Sequence, residues 1–338
     1  MQVVAALREE RTPFMVAERP TVPVIDGHTD YLLSLIETKR SFLEESTTGH
    51  VDLPRARRGG IGAMLSAVFI LDEDLPQHAL IQTLRAVDLL HRVVAESNGQ
   101  IELIRSYQQL VDCLERGVFG AILHYEGAEA IDPEFAVLRL SYELGLRSLG
   151  LTWSRPNIFA EGVGQANRGN GLTGLGRELV RQCNAMGILI DVSHLNEPGF
   201  WDVVEVSEKP FVASHSNARA LCDHDRNLTD EQIRALAEKG GLMGINYHVG
   251  FLVAGAETGA EVPLSVLVDH IDHIVRLVGV DHVALGSDFD GATMPDELKD
   301  AAHTPNLIAE LSRRGYSDDA IEKICSGNWL RVLREVWV

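Results

Sequence analysis

The sequence predicts an α/β fold, specifically a (β/α)8 or TIM barrel, from three observations. Short apolar runs alternate with helix-period segments along the whole chain, which is typical of a parallel sheet wrapped by helices. The 338 residues hold eight such units, the number found in a closed barrel. Several runs end in His, Asp or Glu, and the C-terminal strand ends carry the chemistry of such barrels. An open, doubly wound sheet is the competing architecture.

The predicted elements follow one another in regular alternation. Strands are predicted at 22–26, 62–70, 119–125, 147–152, 188–193, 211–214, 242–246 and 282–286. Amphipathic helices are predicted at 76–96, 134–144, 174–186, 229–239 and 264–278, several opened by Ser, Thr, Asp or Pro. Thr229 to Gln232 has the residue pattern of a capping box. The segment 159–176, rich in Gly and Asn, is expected to form a long loop over the barrel mouth.

A single domain is predicted, because no linker, low-complexity tract or internal repeat divides the chain. It comprises an N-terminal extension (1–21), the barrel and closing helices at 317–338. The net charge of −19 argues against nucleic acid or an anionic membrane as a partner. Neither a long apolar run nor a secretory signal is seen, so a cytoplasmic location is expected. Four widely spaced cysteines indicate reduced thiols.

The first predicted strand ends in a His-x-Asp pair, His28 and Asp30. Alternate residues of a strand point to the same side, so an imidazole and a carboxylate are directed into one space. Glu126 ends the third strand, and its carboxylate can bridge two cations if Gly127 lets the backbone come close. Taken singly, each of these residues could instead be an ordinary polar group at a turn or rim.

Two further strands each end in Ser-His, at His194 and His215. Neighbouring strands with this ending place two imidazoles side by side, which suits Zn²⁺. Asp288 ends the eighth strand, where a carboxylate beside a cation-bound water can take its proton and deliver it to a leaving group. The sequence therefore predicts two metal ions held by His28, Asp30, Glu126, His194 and His215, with amide or ester hydrolysis as the chemistry.

Other polar residues near the strand ends have simpler explanations. His124 is expected to be a hydrogen-bonded core histidine rather than a ligand. Asp290 is expected to hold its own loop, and Glu129 to be a solvated loop acid. Arg226, after the sixth strand, suits a clamp on a substrate carboxylate, although a surface salt bridge is the alternative.

The motifs around these residues resemble the membrane (renal) dipeptidase family of the amidohydrolase superfamily, peptidase family M19, and in particular its soluble bacterial members. In chain order they are DGHTD at 26–30, VDLP at 51–54, YEGA at 125–128, DVSH at 191–194, ASHS at 213–216, RNL at 226–228 and GSDFDG at 286–291. The resemblance implies a metal-dependent hydrolase barrel with two zinc ions that cleaves dipeptides, some with a C-terminal D-residue. It assigns one metal to His28 and Asp30 and the other to His194 and His215, with Glu126 bridging.

The resemblance also implies that Asp288 is the proton shuttle and that Arg226 anchors the free carboxylate of the dipeptide. Animal members have a histidine after the fourth strand that is thought to steady the oxyanion, whereas this chain has Trp153 at about that place. An indole N–H carries no charge, so Trp153 is predicted to be a pocket wall rather than an oxyanion donor. Asn246 and Tyr247, at the seventh strand end, are predicted as further substrate contacts. The family is also consistent with a homodimer.

The leading hypothesis is a zinc-dependent dipeptidase, with Glu126 and Asp288 as its catalytic groups. A metal-bridging hydroxide would attack the peptide carbonyl, and Asp288 would relay the proton to the leaving amine. One alternative is the same binuclear centre acting on another small amide or lactone, which Trp153 leaves open. Another is a metal-dependent binding protein that has lost catalysis, which Asp288 argues against because binding alone needs no proton shuttle.

Overall fold

The computed structural model describes residues 22–164 and 169–337, which form a closed ring of parallel strands surrounded by helices. The strands are β1 Val24–Thr29, β2 Ile61–Val68, β3 Ile101–Leu103, β4 Phe119–Glu126, β5 Leu146–Gly150, β6 Leu189–Asp191, β7 Val212–Ser216, β8 Leu242–Ile245 and β9 Val283–Leu285. Their order is β2-β1-β9-β8-β7-β6-β5-β4-β3, and β2 also pairs with β4. This pairing closes the ring, so the predicted (β/α)8 barrel is confirmed and an open sheet is excluded.

All eight predicted strands are present, and β3 is an addition that the sequence does not predict. Its three residues pair with the start of β4, from Phe119 to Ala121. β5 pairs with the same edge of β4 from Leu123 onwards. So short a strand shows no measurable hydrophobic period, which explains why it is missed. The predicted N-terminal extension (1–21) lies outside the described residues, as do 165–168 of the predicted mouth loop.

Helices fill the connections between strands. Within the described ranges they are α1 Tyr31–Thr38, α2 Leu53–Arg58, α3 Ala79–Glu96, α4 Tyr107–Arg116, α5 Ala136–Leu144, α6 Gly174–Met186, α7 Glu197–Val206, α8 Asp230–Glu238, α9 Val249–Leu252, α10 Leu264–Val278, α11 Thr304–Arg313, α12 Asp318–Glu322 and α13 Asn328–Val336. A π-helix, Lys323–Gly327, joins α12 to α13, and 3₁₀ turns occur at Asp72–Asp74, Gly259–Glu261, Val280–His282, Asp296–Leu298 and Ala301–His303. The five predicted helices are confirmed.

The predicted capping box at the start of α8 is confirmed in both directions. The Gln232 backbone N–H donates to Thr229 Oγ1 at 3.3 Å, and the Thr229 backbone N–H donates to Gln232 Oε1 at 2.9 Å. These two bonds satisfy donors that the first turn of a helix otherwise leaves free.

The lower part of the barrel interior is apolar and is sealed by α13. Its inward-facing side chains are Ile25, Leu65, Ile122, Leu189, Val212, Leu242 and Ala284, which pack with Trp329, Val332 and Leu333 of α13. Trp329 is fully buried, and its Nε1–H donates to the Leu285 carbonyl at 3.0 Å. A Cβ on Gly27 would lie 2.3 Å from the Trp329 ring, so only glycine fits there.

The same strands become polar towards their C-terminal ends. On β4 the inward face runs from Ile122 through His124 to Glu126, because alternate residues share a side. The backbone is tightly packed where β7 and β9 end. A Cβ atom on Gly286, directly after β9, would lie only 1.8 Å from the carbonyl oxygen of Ser214 in β7. The barrel therefore supports a ring of polar side chains on an apolar base.

A second, larger hydrophobic core lies between the barrel wall and the helices. All four cysteines are free and buried. Among the described residues, none of the helices combines the length and the apolar character needed to cross a bilayer.

Candidate metal centre

The five predicted metal ligands meet at the C-terminal end of the barrel and form what we call the ligand cluster: His28, Asp30, Glu126, His194 and His215. Glu126 Oε1 lies 2.9 Å from His194 Nε2 and 3.6 Å from Nε2 of both His28 and His215. His28 Nε2 lies 3.4 Å from Asp30 Oδ2. All five side chains are buried. One carboxylate oxygen of Glu126 therefore lies close to all three imidazoles of the cluster.

Hydrogen bonds fix which nitrogen of His215 faces the cluster. Ser214 Oγ lies 2.5 Å from Asp191 Oδ2 and 2.7 Å from His215 Nδ1. A carboxylate only accepts, so the Ser214 hydroxyl donates to Asp191 and accepts from Nδ1–H of His215. His215 Nε2 is then a bare lone pair, 3.0 Å from His194 Nε2. Metal-bound histidines are commonly oriented by this kind of hydrogen bond on the second ring nitrogen.

The charges of the cluster are strongly perturbed by burial. Burial lowers the pKa of His194 and of His215 well below the usual range, so both rings are neutral. Burial also opposes the charge on His28, but the Glu126 and Asp30 carboxylates outweigh it and raise the pKa of His28 to about 10. Burial raises the pKa of Glu126 well above its usual value, with His28 acting in the opposite direction. The carboxylates of Glu126 and Asp30 therefore favour a positive charge in the space that the ligand cluster surrounds.

Unsatisfied buried atoms in the cluster fit a metal cation as the source of this charge. Neither ring nitrogen of His28 has a hydrogen-bond partner within the described residues, although the ring is completely buried. Such atoms are rare in folded proteins. Ligand atoms of His28, Glu126 and His215 lie within 4.8 Å of one another, and so do those of His28, Asp30 and Asp288. Imidazole nitrogens with carboxylate oxygens are a donor set that fits a divalent transition metal.

His124 lies below the ligand cluster, as a core histidine would. Its Nδ1 is 2.9 Å from Ser148 Oγ, its Nε2 is 3.6 Å from Asp191 Oδ2, and burial lowers its pKa to about 3. His28, His124 and Asp191 are also close enough to hold an ion. Asp191, however, accepts hydrogen bonds from the backbone N–H and the hydroxyl of Ser214. It therefore orients His215 through Ser214.

Sequence reasoning missed the serines that orient the histidines. Ser214 bonds His215, and Ser154 Oγ lies 2.7 Å from Nδ1 of His194. For Ser214 a signal was available, since it directly precedes a predicted ligand. Ser154 lies in the loop after β5, where no period or spacing points to it.

Asp288 lies beside the ligand cluster and is held by Asn246. The Asn246 Nδ2–H donates to Asp288 Oδ2 at 2.9 Å, so the structure brings these two predicted site residues together. Asp288 has a φ of 64°, a left-handed conformation that is uncommon outside glycine and often marks functional sites. Burial raises the pKa of Asp288, and the Asp30 carboxylate raises it further.

Arg226 is buried rather than engaged in a surface salt bridge. Its Nη2 donates to the His215 carbonyl at 3.1 Å and its Nη1 to Ser216 Oγ at 3.4 Å. Within 22–164 and 169–337 no carboxylate lies at ion-pair distance from it, and its Nε has no partner. A cavity of about 200 Å³ lies beside Arg226 and reaches His194. We call it the Arg226 cavity.

Trp153 and Tyr247, both predicted near the substrate, lie in different surroundings. The Trp153 ring lies 5.5 Å from the His194 ring and 5.2 Å from the Phe69 ring, beside the ligand cluster. Tyr247 is 2% exposed and packs edge-on against Phe289 in the larger core, and its role as a substrate contact stays a prediction. Adjacent residues of an extended chain point to opposite sides, and Asn246 takes the inward one.

Asp290 and Glu129 are both predicted to be loop acids without a catalytic role. Asp290 accepts from Arg40 Nη2 and from the His50 backbone N–H, each at 2.5 Å, so it holds its loop against the segment after α1 and not through its own backbone. Glu129 is not solvated: its side chain is 6% exposed and lies 3.3 Å from Nε of Arg155. The ion pair links the loops after β4 and β5, a contact that sequence spacing does not reveal.

Comparisons with known proteins identify the family of this chain. The profile of the membrane dipeptidase family, peptidase family M19, matches residues 16–337. The chain is 44% identical over 254 residues to a Klebsiella pneumoniae protein described as lying in the pqqA 5' region, covering 74% of this chain and 94% of that protein. It is 31% identical over 325 residues to Dipeptidase 3 of Mus musculus, covering 93% of this chain and 64% of that protein.

A solved structure is similar over nearly the whole chain. The metallo peptidase from Rhodobacter sphaeroides, liganded with a phosphinate mimic of the dipeptide L-Ala-D-Ala, superposes with a TM-score of 0.90 at 36% identity. The match covers 94% of this chain and 100% of that one. The resemblance in the motifs is thereby confirmed, and the chain belongs, as an enzyme, to the membrane dipeptidase family, peptidase family M19.

Proposed function

We propose that this enzyme is a zinc-dependent dipeptidase that hydrolyses L-Xaa-L-Xaa and L-Xaa-D-Xaa dipeptides. One observation carries the proposal: Oε1 of the Glu126 carboxylate lies within 3.6 Å of Nε2 of His28, His194 and His215. A carboxylate shared by two ligand sets is the arrangement that a pair of metal ions needs. The D-residue is included because the Rhodobacter sphaeroides relative was solved with a mimic of L-Ala-D-Ala.

The ligand cluster would hold two zinc ions. His28 and Asp30 would bind one ion, His194 and His215 the other, and Glu126 both. Three imidazoles among five ligands favour zinc over magnesium or calcium, which prefer oxygen. Zinc bound there would supply a water of lowered pKa and would polarise the carbonyl of the scissile bond.

Arg226 would select substrates with a free C-terminal carboxylate. Each Nη group carries two N–H bonds and uses one of them within the protein. The remaining two can bind a carboxylate by parallel hydrogen bonds. Burial without a carboxylate partner leaves this guanidinium charge available to a substrate. A peptide held here by its terminal carboxylate would place its last amide bond next to His215, which restricts the substrate to dipeptides.

Asp288 would move the proton. Asn246 occupies Oδ2, which leaves Oδ1 to take a proton from the attacking water. The same oxygen would then deliver that proton to the departing amine, so one carboxyl group serves both halves of the reaction. The left-handed backbone at Asp288 fixes where this carboxyl group points.

The test is a kinetic comparison of L-Ala-L-Ala and L-Ala-D-Ala with their C-terminal amides, in zinc-loaded and chelator-treated protein. We expect cleavage of the free dipeptides only, lost with chelation and restored by zinc. Arg226→Met should remove the discrimination between acid and amide, whereas Arg92→Met, which removes an exposed guanidinium paired with Asp88 on α3, should keep it. Equal cleavage of the amides, or activity that survives chelation, would contradict the proposal.

A further inference from the structure

The Arg226 cavity extends past the guanidinium to the first turn of α8. Its aliphatic lining side chains are Val163, Val192, Leu195 and Leu228. Arg226 and Gln232 also line it and are each only 5% exposed, so we call their part of the cavity the inner end. If the terminal carboxylate of a substrate binds Arg226, as the proposed function requires, the side chain of that same residue starts within two bonds of the carboxylate. The cavity is therefore placed to receive it.

Gln232 offers this cavity a hydrogen-bond donor that the fold itself does not use. Its Oε1 accepts from the Thr229 backbone N–H, and this bond fixes the orientation of the amide. Its Nε2 forms no hydrogen bond with any residue that the structure describes, although Gln232 is 95% buried, being only 5% exposed. The capping box needs only the oxygen, and a glutamate would supply that oxygen equally well. The capping box therefore does not account for the N–H₂ group of Gln232.

The electrostatics at the inner end favour an acceptor. The Arg226 charge has no carboxylate partner in the described ranges, and the N-terminal ends of α7 and α8 both border the cavity. The Arg219 guanidinium also lines it but is neutralised by Asp225 at 2.9 Å. Glu197, the other lining acid, is solvent-exposed at the rim. An oxygen atom without a proton is thus better suited to the inner end than an ammonium group.

We propose that the Arg226 cavity is the subsite for the side chain of the substrate's C-terminal residue, and that the Gln232 amide N–H selects side chains ending in a hydrogen-bond acceptor. Glutamate and glutamine are the natural examples. Gln232 acts here as a specificity-determining residue, outside the ligand cluster.

Two substrates that differ by a single acceptor oxygen test this: L-alanyl-methionine and L-alanyl-methionine sulfoxide, in whichever C-terminal configuration the enzyme cleaves. We expect the wild type to favour the sulfoxide in kcat/KM by about three- to tenfold, the range for one net hydrogen bond. Gln232→Glu keeps the capping oxygen but replaces the donor by a carboxylate, so the ratio should fall to about one or below.

The matched control is Gln109→Glu, which changes a capping glutamine at the same position of α4. Gln109 Oε1 accepts from the Arg105 backbone N–H at 2.9 Å, and Gln109 does not line the Arg226 cavity. Its variant should keep the wild-type ratio. A ratio near one in the wild type, or an unchanged ratio in Gln232→Glu, would overturn the inference while leaving the dipeptidase proposal standing. If neither substrate is cleaved, the proposed function fails and the inference fails with it.

Discussion

The lower and upper parts of the barrel interior are built from the same strands but differ completely in chemistry. Below, Ile122 and its neighbours pack against Trp329 without a charged group among them. Above, Glu126 and three imidazoles lie within hydrogen-bond distance or slightly beyond, with pKa values displaced by burial. On β4, His124 lies two positions after Ile122, and Glu126 lies two positions after His124.

The lower layer stabilises the fold, and the upper layer costs the fold stability. Buried apolar side chains stabilise a fold, whereas buried carboxylates and unpaired ring nitrogens cost free energy unless something compensates them. The lower layer should therefore respond to substitution chiefly in stability. The upper layer should respond chiefly in metal binding and turnover.

The largest expected effect is in the upper layer, at Asp288. Asp288→Asn removes the proton carrier while the amide keeps the shape of the side chain, so kcat should fall by about 10²- to 10⁴-fold. The zinc content, measured by elemental analysis, should stay at the wild-type value because the ligand cluster is intact. The exposed Asp281→Asn is the control and should leave kcat unchanged. Loss of zinc in Asp288→Asn would make Asp288 a ligand instead of a shuttle.

The next effect is in the lower layer, at Trp329. Trp329→Ala leaves a cavity under the ligand cluster and an unpaired Leu285 carbonyl, so the free energy of unfolding should fall by about 3–5 kcal/mol. Trp201→Ala, at a site 38% exposed, should cost less than about 1 kcal/mol. Denaturant unfolding of both variants measures the difference. Equal losses would mean that the lower layer does not carry the stability assigned to it.

The smallest effect lies at the support of the upper layer, at Ser214. Ser214→Ala removes the acceptor for Nδ1–H of His215, so zinc affinity should fall by about 10- to 100-fold in competition with a chelator. Ser141→Ala removes a buried hydroxyl that bonds Tyr125 in the outer core, and zinc affinity should not change. An unchanged affinity in Ser214→Ala would show that His215 is oriented by packing alone.

Most of the fold and the ligand cluster could be predicted because of one geometric fact. In a parallel barrel all C-terminal strand ends meet in one ring, so His28, Glu126 and His194 could be brought together without knowing any loop. The parity of the chain at the end of β8 explains why Asn246 bonds Asp288 whereas Tyr247 packs in the larger core. That parity becomes known only when the strand register is seen.

Features that depend on loops could not be predicted. The Glu129–Arg155 ion pair and the Ser154–His194 hydrogen bond join loops whose paths follow no period. The burial of Arg226 depends on the same kind of contact, and so does the free amide nitrogen of Gln232. The cytoplasmic location and the homodimer stay predictions from the sequence.

Anomalous diffraction at the zinc edge, from crystals of the zinc-loaded enzyme, tests the proposed metal centre itself. Two peaks are expected, one beside His28 and Asp30 and one beside His194 and His215, each about 2.0–2.2 Å from a carboxylate oxygen of Glu126. A single peak, or peaks that leave Glu126 unbound, would contradict it.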